Sequence, residues 1–217
     1  MKLVSLLAFL AVFGVMLLVV TLPSLVQTSQ PFEQFTEKQL VDDDVMLGSN
    51  SSPVLFVEFG DFLCEYCTLL HETVEPTLRE KYVTTGKLKM VFRDFVSPAH
   101  ALGIPAAAAA TCTNDRYWDM RDLLYQNVYK KDTWSTRTNA TDYFAAYAQQ
   151  LGKPIATCMA RSDILQEIEQ DTAQGLSLNV MGTPTIFIGN EHKGFIRVLS
   201  AQPLSVYEQL IEEFLHD

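Results

Sequence analysis

Cys64-Glu65-Tyr66-Cys67 constrains this 217-residue chain more than any other stretch. An apolar, β-type run, Val54-Leu55-Phe56-Val57-Glu58-Phe59, stands before it, and a helical pattern from Leu69 to Tyr82 follows. The first cysteine therefore falls where a strand ends and a helix begins. A side chain there meets free backbone N–H groups and the positive end of the helix dipole. Both favour the thiolate, which is the reactive form of cysteine. Cys67 comes one turn later on the same helix face, so the two sulfurs can open and close a disulfide with little backbone movement. The rival reading of a C-x-x-C is half of a zinc site. Zinc would need a second close pair, but Cys112 and Cys158 are single and far apart, and His71 and His100 do not complete a knuckle spacing. These residues point to dithiol chemistry with no metal and no cofactor beyond the cysteine pair.

The chain opens with Met1-Lys2 and an uncharged apolar run from Leu3 to about Leu22. That run matches the ~20 residues needed to span a bilayer. A cleaved secretory signal has a shorter core and a small-residue cleavage site, for which Thr21-Leu22-Pro23-Ser24 is a weak match. Residues 1–22 are therefore expected to be a transmembrane signal-anchor; secretion after signal cleavage is the alternative. Lys2, the only early charge, puts the N-terminus in the cytoplasm and the remainder on the extracytoplasmic side. Residues 23–52 read as a tether and N-terminal extension, and residues 53–217 as one domain. The net charge is −10, and removing the Lys2 cation leaves −11 on the exported part. Such a balance argues against nucleic acid and against adhesion to an anionic membrane surface. Asp42-Asp43-Asp44 reads as a solvated turn. Four cysteines fit an oxidising compartment. Two sequons, at Asn50 and Asn139, could carry glycans in a host with that machinery.

Asn50-Ser51-Ser52-Pro53 is a turn that launches the first central strand. Its near-continuous apolar run is that of a strand covered on both faces. A kink is expected near Pro76. After Gly86, Lys87-Leu88-Lys89-Met90-Val91-Phe92 alternates as a second strand. From Ile104 to Thr172 the chain is helix-forming, with Pro105 set to start a helix before Ala106–Ala110 and a break at Gly152-Lys153-Pro154. Strand character returns at Thr185-Ile186-Phe187-Ile188 and Phe195–Val198, and Leu204–Leu215 is a final amphipathic helix. This order is an α/β, thioredoxin-like fold with an inserted helical domain at about residues 98–174, preceded by the transmembrane helix.

At this point the residues carry a family resemblance. Phe59-Gly60-Asp61-Phe62-Leu63-Cys64-Glu65-Tyr66-Cys67, Val91-Phe92-Arg93-Asp94-Phe95, the Ala-rich helix leading to Tyr117-Trp118, and Met181-Gly182-Thr183-Pro184-Thr185 occur in that order. Together they resemble the DsbA-like thiol-disulfide oxidoreductases of the cell envelope. The resemblance implies that Cys64 is the exposed nucleophile and Cys67 the buried resolving partner. It implies that Pro184 is a cis-proline beside the pair, and that the Thr183 backbone pairs with an extended substrate segment. It also implies that Glu58 lies under Cys67 and helps move its proton. The residues alone leave Glu58 open to an exposed strand-edge reading, and Asp61 competes for the same role. The partners implied are exported proteins with cysteine thiols and a quinone-linked membrane reoxidase.

The chain departs from many relatives in carrying Glu65 and Tyr66 between the cysteines, where a Pro-His pair is common. A histidine cation there stabilises the thiolate, whereas Glu65 repels it. Glu65 and Tyr66 are thus expected to tune the redox pair, and Glu65 gives a disulfide reductase or isomerase on the same fold some support. A redox-inert chaperone or binding module is a third reading, against which both cysteines and Thr183-Pro184 speak. Cys112 and Cys158 match a structural disulfide of some relatives; two buried free thiols or a second redox pair are the alternatives. His71 and His100 read as packing or surface residues, and Trp118 and Trp134 as core.

Overall fold

The computed structural model describes residues 32–216. The expected transmembrane segment, residues 1–22, lies outside the described residues, and among those described no helix is long and apolar enough to cross a membrane. The described residues form a four-stranded sheet in the order β2-β1-β3-β4. Strand β1 (Val54–Gly60) pairs in parallel with β2 (Leu88–Asp94) and antiparallel with β3 (Thr185–Asn190), which hairpins into β4 (Gly194–Leu199). Alternation along β1 sends its side chains to two separate cores. Val54 and Phe56 join a core with Phe62, Cys67, Leu70 and Tyr207, while Leu55, Val57 and Phe59 join a second with Val91, Phe187 and Phe195. Glu58 takes the first side, in the middle of the sheet and 1% exposed, which rules out the strand-edge reading.

Helix α1 (Glu37–Leu40) precedes β1, and α2 (Glu65–Thr73) starts at the redox pair. Pro76 cannot donate the N–H that would extend α2, so the helix breaks at Val74 and resumes as α3 (Glu75–Leu78) and a π turn, Arg79–Val83. The inserted block comprises α4 (Gly103–Thr111), α5 (Tyr117–Asn127), α6 (Thr141–Gln150), α7 (Ala156–Met159) and α8 (Ser162–Ser177). Ala106 to Ala110 are fully buried. Helix α9 (Leu204–Leu215) closes the chain against β1 and β3 through Tyr207, Ile211 and Phe214. Trp134 and Trp118 are buried and donate to the carbonyls of Leu124 and Val45.

The alternation of β2 suggests a solvent face, yet every residue of the strand is buried. In the N-terminal extension, Glu33 bridges to Phe195 and Leu47 to Met90, which covers both outer strands of the sheet. The docked extension and α8 then supply partners for the polar face of β2. Lys89 Nζ meets Glu37 Oε1 at 2.7 Å, and Arg93 pairs with Asp171 and, at 3.1 Å, with Asp44. Asp44 is therefore part of a buried ion-pair cluster and not of a solvated turn, although Asp42 and Asp43 are exposed. Asn50 and Asn139 are both exposed.

Candidate active site

The strand-to-helix turn presents Cys64 as the N-cap of α2. Its Sγ accepts from the Cys67 backbone N–H at 3.4 Å, and the thiol lies 3.3 Å from the Thr183 carbonyl oxygen, to which it donates when protonated. The Thr183–Pro184 peptide is cis and lies just before β3. Cys64 is 9% exposed and Cys67 fully buried. Hydrogen bonding from Cys67 lowers the Cys64 thiol to about 6, against the opposing pull of burial, with help from the Thr183 side chain and the backbone N–H groups of Cys67 and Tyr66. Cys67 moves the other way: burial first, then its hydrogen bond to Cys64 and the nearby Glu58, push it well above the ordinary thiol range. One thiol is thus poised as a thiolate at neutral pH and the other as a thiol. Glu65 and Tyr66 are exposed, as are Leu69, on the helix that Cys64 caps, and Met181, on the segment that carries Thr183.

Beneath the pair lies a buried polar cluster. Glu58 Oε2 accepts from Arg121 Nη2 at 2.6 Å, while Glu58 Oε1 has no hydrogen-bond partner. Burial, outweighing Arg121, and the neighbouring Glu75 raise the Glu58 carboxyl to about 8. Arg121 and Glu75 escaped the sequence reading. A signal existed: Arg121 shares the buried helix face of Tyr117, Leu124 and Tyr125, and a buried cation there requires a buried anion. His71 packs in this cluster, stacked on Tyr125. Asp61 is spoken for elsewhere: Oδ1 accepts from Leu63 N, and Oδ2 from Ser97 N and pairs with His100 Nδ1 at 2.7 Å. Cys112 and Cys158 are joined in a disulfide at the edge of the insert, so neither is free to complete a zinc site with Cys64 and Cys67.

The family model described as Thioredoxin matches residues 40–201, about three quarters of the chain. The chain belongs to the thioredoxin family. Among its relatives is a probable disulfide bond formation protein D of Bacillus cereus, 30% identical over 65% of this chain and 68% of the relative. The disulfide bond formation protein D of Bacillus subtilis is 22% identical over 76% of each. Of solved structures, alpha-DsbA1 of Wolbachia pipientis superposes with a TM-score of 0.70 at 22% identity, covering 80% of this chain and 92% of that one. Oxidised BdbD of Bacillus subtilis gives 0.69 at 20% identity, covering 86% and 98%. Within the thioredoxin family this chain is a DsbA-like thiol-disulfide oxidoreductase, and Cys64 and Cys67 form its C-x-x-C pair.

Proposed function

We propose that this oxidoreductase introduces disulfide bonds into exported proteins. The opposed displacements of the two thiols carry the reading: a stabilised Cys64 thiolate favours the reduced enzyme, and hence transfer of the disulfide to substrate. In this reading a substrate thiolate attacks Cys64, and Cys67 leaves the disulfide and later resolves or is reoxidised. The Thr183 backbone pairs with the extended substrate segment beside Pro184. Glu58, protonated near neutral pH, donates to the leaving Cys67 sulfur. Tyr66, Leu69 and Met181 offer apolar surface to an unfolded substrate. The Cys112–Cys158 bond braces the insert. Localisation follows the sequence reading: residues 1–22 anchor the chain in the cell membrane, the catalytic domain faces the extracytoplasmic side, and a quinone-linked membrane protein reoxidises the pair.

Glu65 favours the second reading, a reductase or isomerase. The potential of the Cys64/Cys67 couple, equilibrated with glutathione, separates the two. Values near about −120 mV belong to strong oxidants and near about −270 mV to thioredoxin-type reductants. A potential at the reducing end, with failure to oxidise a reduced substrate protein, would transfer the chain to the second reading.

A further inference from the structure

Glu58 and Glu75 share one guanidinium. Arg121 Nη2 donates to Glu58 Oε2 and to Glu75 Oε1, each at 2.6 Å, and Nη1 donates to Glu75 Oε2 at 2.8 Å. All three side chains are buried. Two carboxylates against one cation leave an excess charge that a dry interior does not hold, so a proton stays on one of them. The two acids are not equivalent. Glu75 takes both arms of Arg121, a further donor from Arg79 Nη2 at 2.9 Å, and His71 Nδ1 at 3.5 Å. Glu58 takes a single bond from Arg121 and has the Glu75 carboxylate beside it. Its Oε1 is unpartnered and lies 3.0 Å from where a Cβ on Gly60 would stand, toward the redox-turn end of β1.

We propose that Glu75 is a positioning residue for the exchange reaction: by claiming Arg121 it leaves the cluster's proton on Glu58, on the side facing the redox turn. This rests on Glu58 being the proton donor to Cys67. The other titratable groups around Glu58 are Cys64 and Cys67, Tyr125 on α5 and Tyr207 on α9; both tyrosines are held up by burial and stay neutral. The displacements of the two acids agree with the geometry. Burial raises Glu58, whereas Arg121, His71 and Arg79 outweigh burial at Glu75 and hold it well below the ordinary carboxylate range.

The step balances as follows. A substrate thiolate attacks Cys64 Sγ of the Cys64–Cys67 disulfide, one S–S bond forms as the other breaks, and the electron pair leaves on Cys67 Sγ. The proton moves from Glu58 Oε1 to that sulfur, and Glu58 recovers a proton from solvent. A second substrate thiolate then displaces Cys64 as thiolate, so the substrate is oxidised and the enzyme reduced by two electrons.

The test is single-turnover reaction of the oxidised full chain with a cysteine peptide from about pH 5 to about pH 9, corrected for the peptide's thiolate fraction. The corrected rate falls where Glu58 loses its proton, and Glu58→Gln abolishes that fall. Glu75→Gln moves the fall down by at least about one pH unit, a loss of rate of about twofold at pH 7 that grows toward tenfold by about pH 9, and Glu75→Asp, which keeps the charge, restores it. A fall that persists in Glu58→Gln removes the donor role of Glu58. Its loss in Glu58→Gln, with no movement in Glu75→Gln, overturns the role of Glu75 alone. Should Glu75→Gln not fold, carboxyl NMR of the wild-type protein decides. The glutamate signal absent from the Glu58→Gln spectrum must be the protonated one near neutral pH, and an ionised signal overturns the proposal.

Discussion

The hydrogen bonds that Cys64 accepts, more than any neighbouring charge, set its reactivity. The groups that stabilise its thiolate are Cys67, the Thr183 side chain and two backbone N–H groups. In the reduced protein, iodoacetamide should therefore label Cys64 with an inflection near pH 6, and leave Cys67 unlabelled until the fold is opened. Replacing Thr183 with Val removes one donor, and a hydrogen bond to a charged group contributes about 1.5–3 kcal/mol, so the inflection should rise by about one unit or more. Glu65→Gln should lower it, since a like charge is removed near the sulfur, but by less, because the exposed Glu65 carboxylate is screened by water. Thiolate absorbance against pH for the two variants separates these effects. A larger shift in Glu65→Gln than in Thr183→Val would place control of the thiolate in the charge between the cysteines.

At the scale of elements, the disulfide between Cys112, at the end of α4, and Cys158, in α7, closes a span of 46 residues that includes α5 and α6. The loop-entropy model gives about 4 kcal/mol for such a span. The double replacement Cys112→Ala with Cys158→Ala should lower stability toward that limit in urea titration while leaving the Cys64 inflection in place; a shifted inflection would show that the insert holds the redox turn in shape. Much of this layer is legible in the sequence. Strand β1, the kink at Pro76, the Ala-rich α4 and amphipathic α9 follow from apolar periodicity and from Pro and Gly chemistry, because local sterics decide them. The start of α2 at the redox pair is legible as well, because the apolar strand run ends before Cys64 and the helical pattern follows it, and Cys64 is the N-cap of the helix. The buried polar face of β2 is not legible at all. Arg93 looks solvated until Asp171, 78 residues away, and the docked Asp44 enclose it. Glu58 and Arg121 are 63 residues apart, and each alone reads as an anomaly in an apolar pattern.

For the whole molecule, proton binding couples folding to redox state. A thiol whose proton affinity is depressed on folding contributes stability above its unfolded value, and loses it as pH falls through the folded value. Folding takes the Cys64 thiol from 9.0 to about 6, so this stabilisation belongs to the reduced protein only, is complete above about pH 9 and disappears as pH falls through about 6. Between pH 8 and pH 6 the reduced form should lose about 2 kcal/mol relative to the oxidised form. Cys67 acts in the opposite sense, but only above about pH 8, where an unfolded thiol begins to ionise while the buried one does not. The raised carboxyls of Glu58, at about 8, and of Asp44 and Glu167, at about 7, lower the stability of both forms as pH rises. They largely cancel in the difference, apart from the part of the Glu58 displacement that the Cys64 thiolate itself causes. Each form taken alone should thus weaken toward pH 8 on account of these acids, while the reduced form gains on the oxidised one. A free-energy difference of about 1.4 kcal/mol corresponds to ~30 mV for a two-electron couple, so the same gain should make the enzyme a stronger oxidant relative to an unstructured dithiol as pH rises from 6 to 8. Urea titration of the fully reduced and fully oxidised protein at both pH values measures it directly. A difference that stays flat, or runs the other way, would mean that the fold does not stabilise the Cys64 thiolate, and would remove the thermodynamic basis for reading this chain as an oxidase.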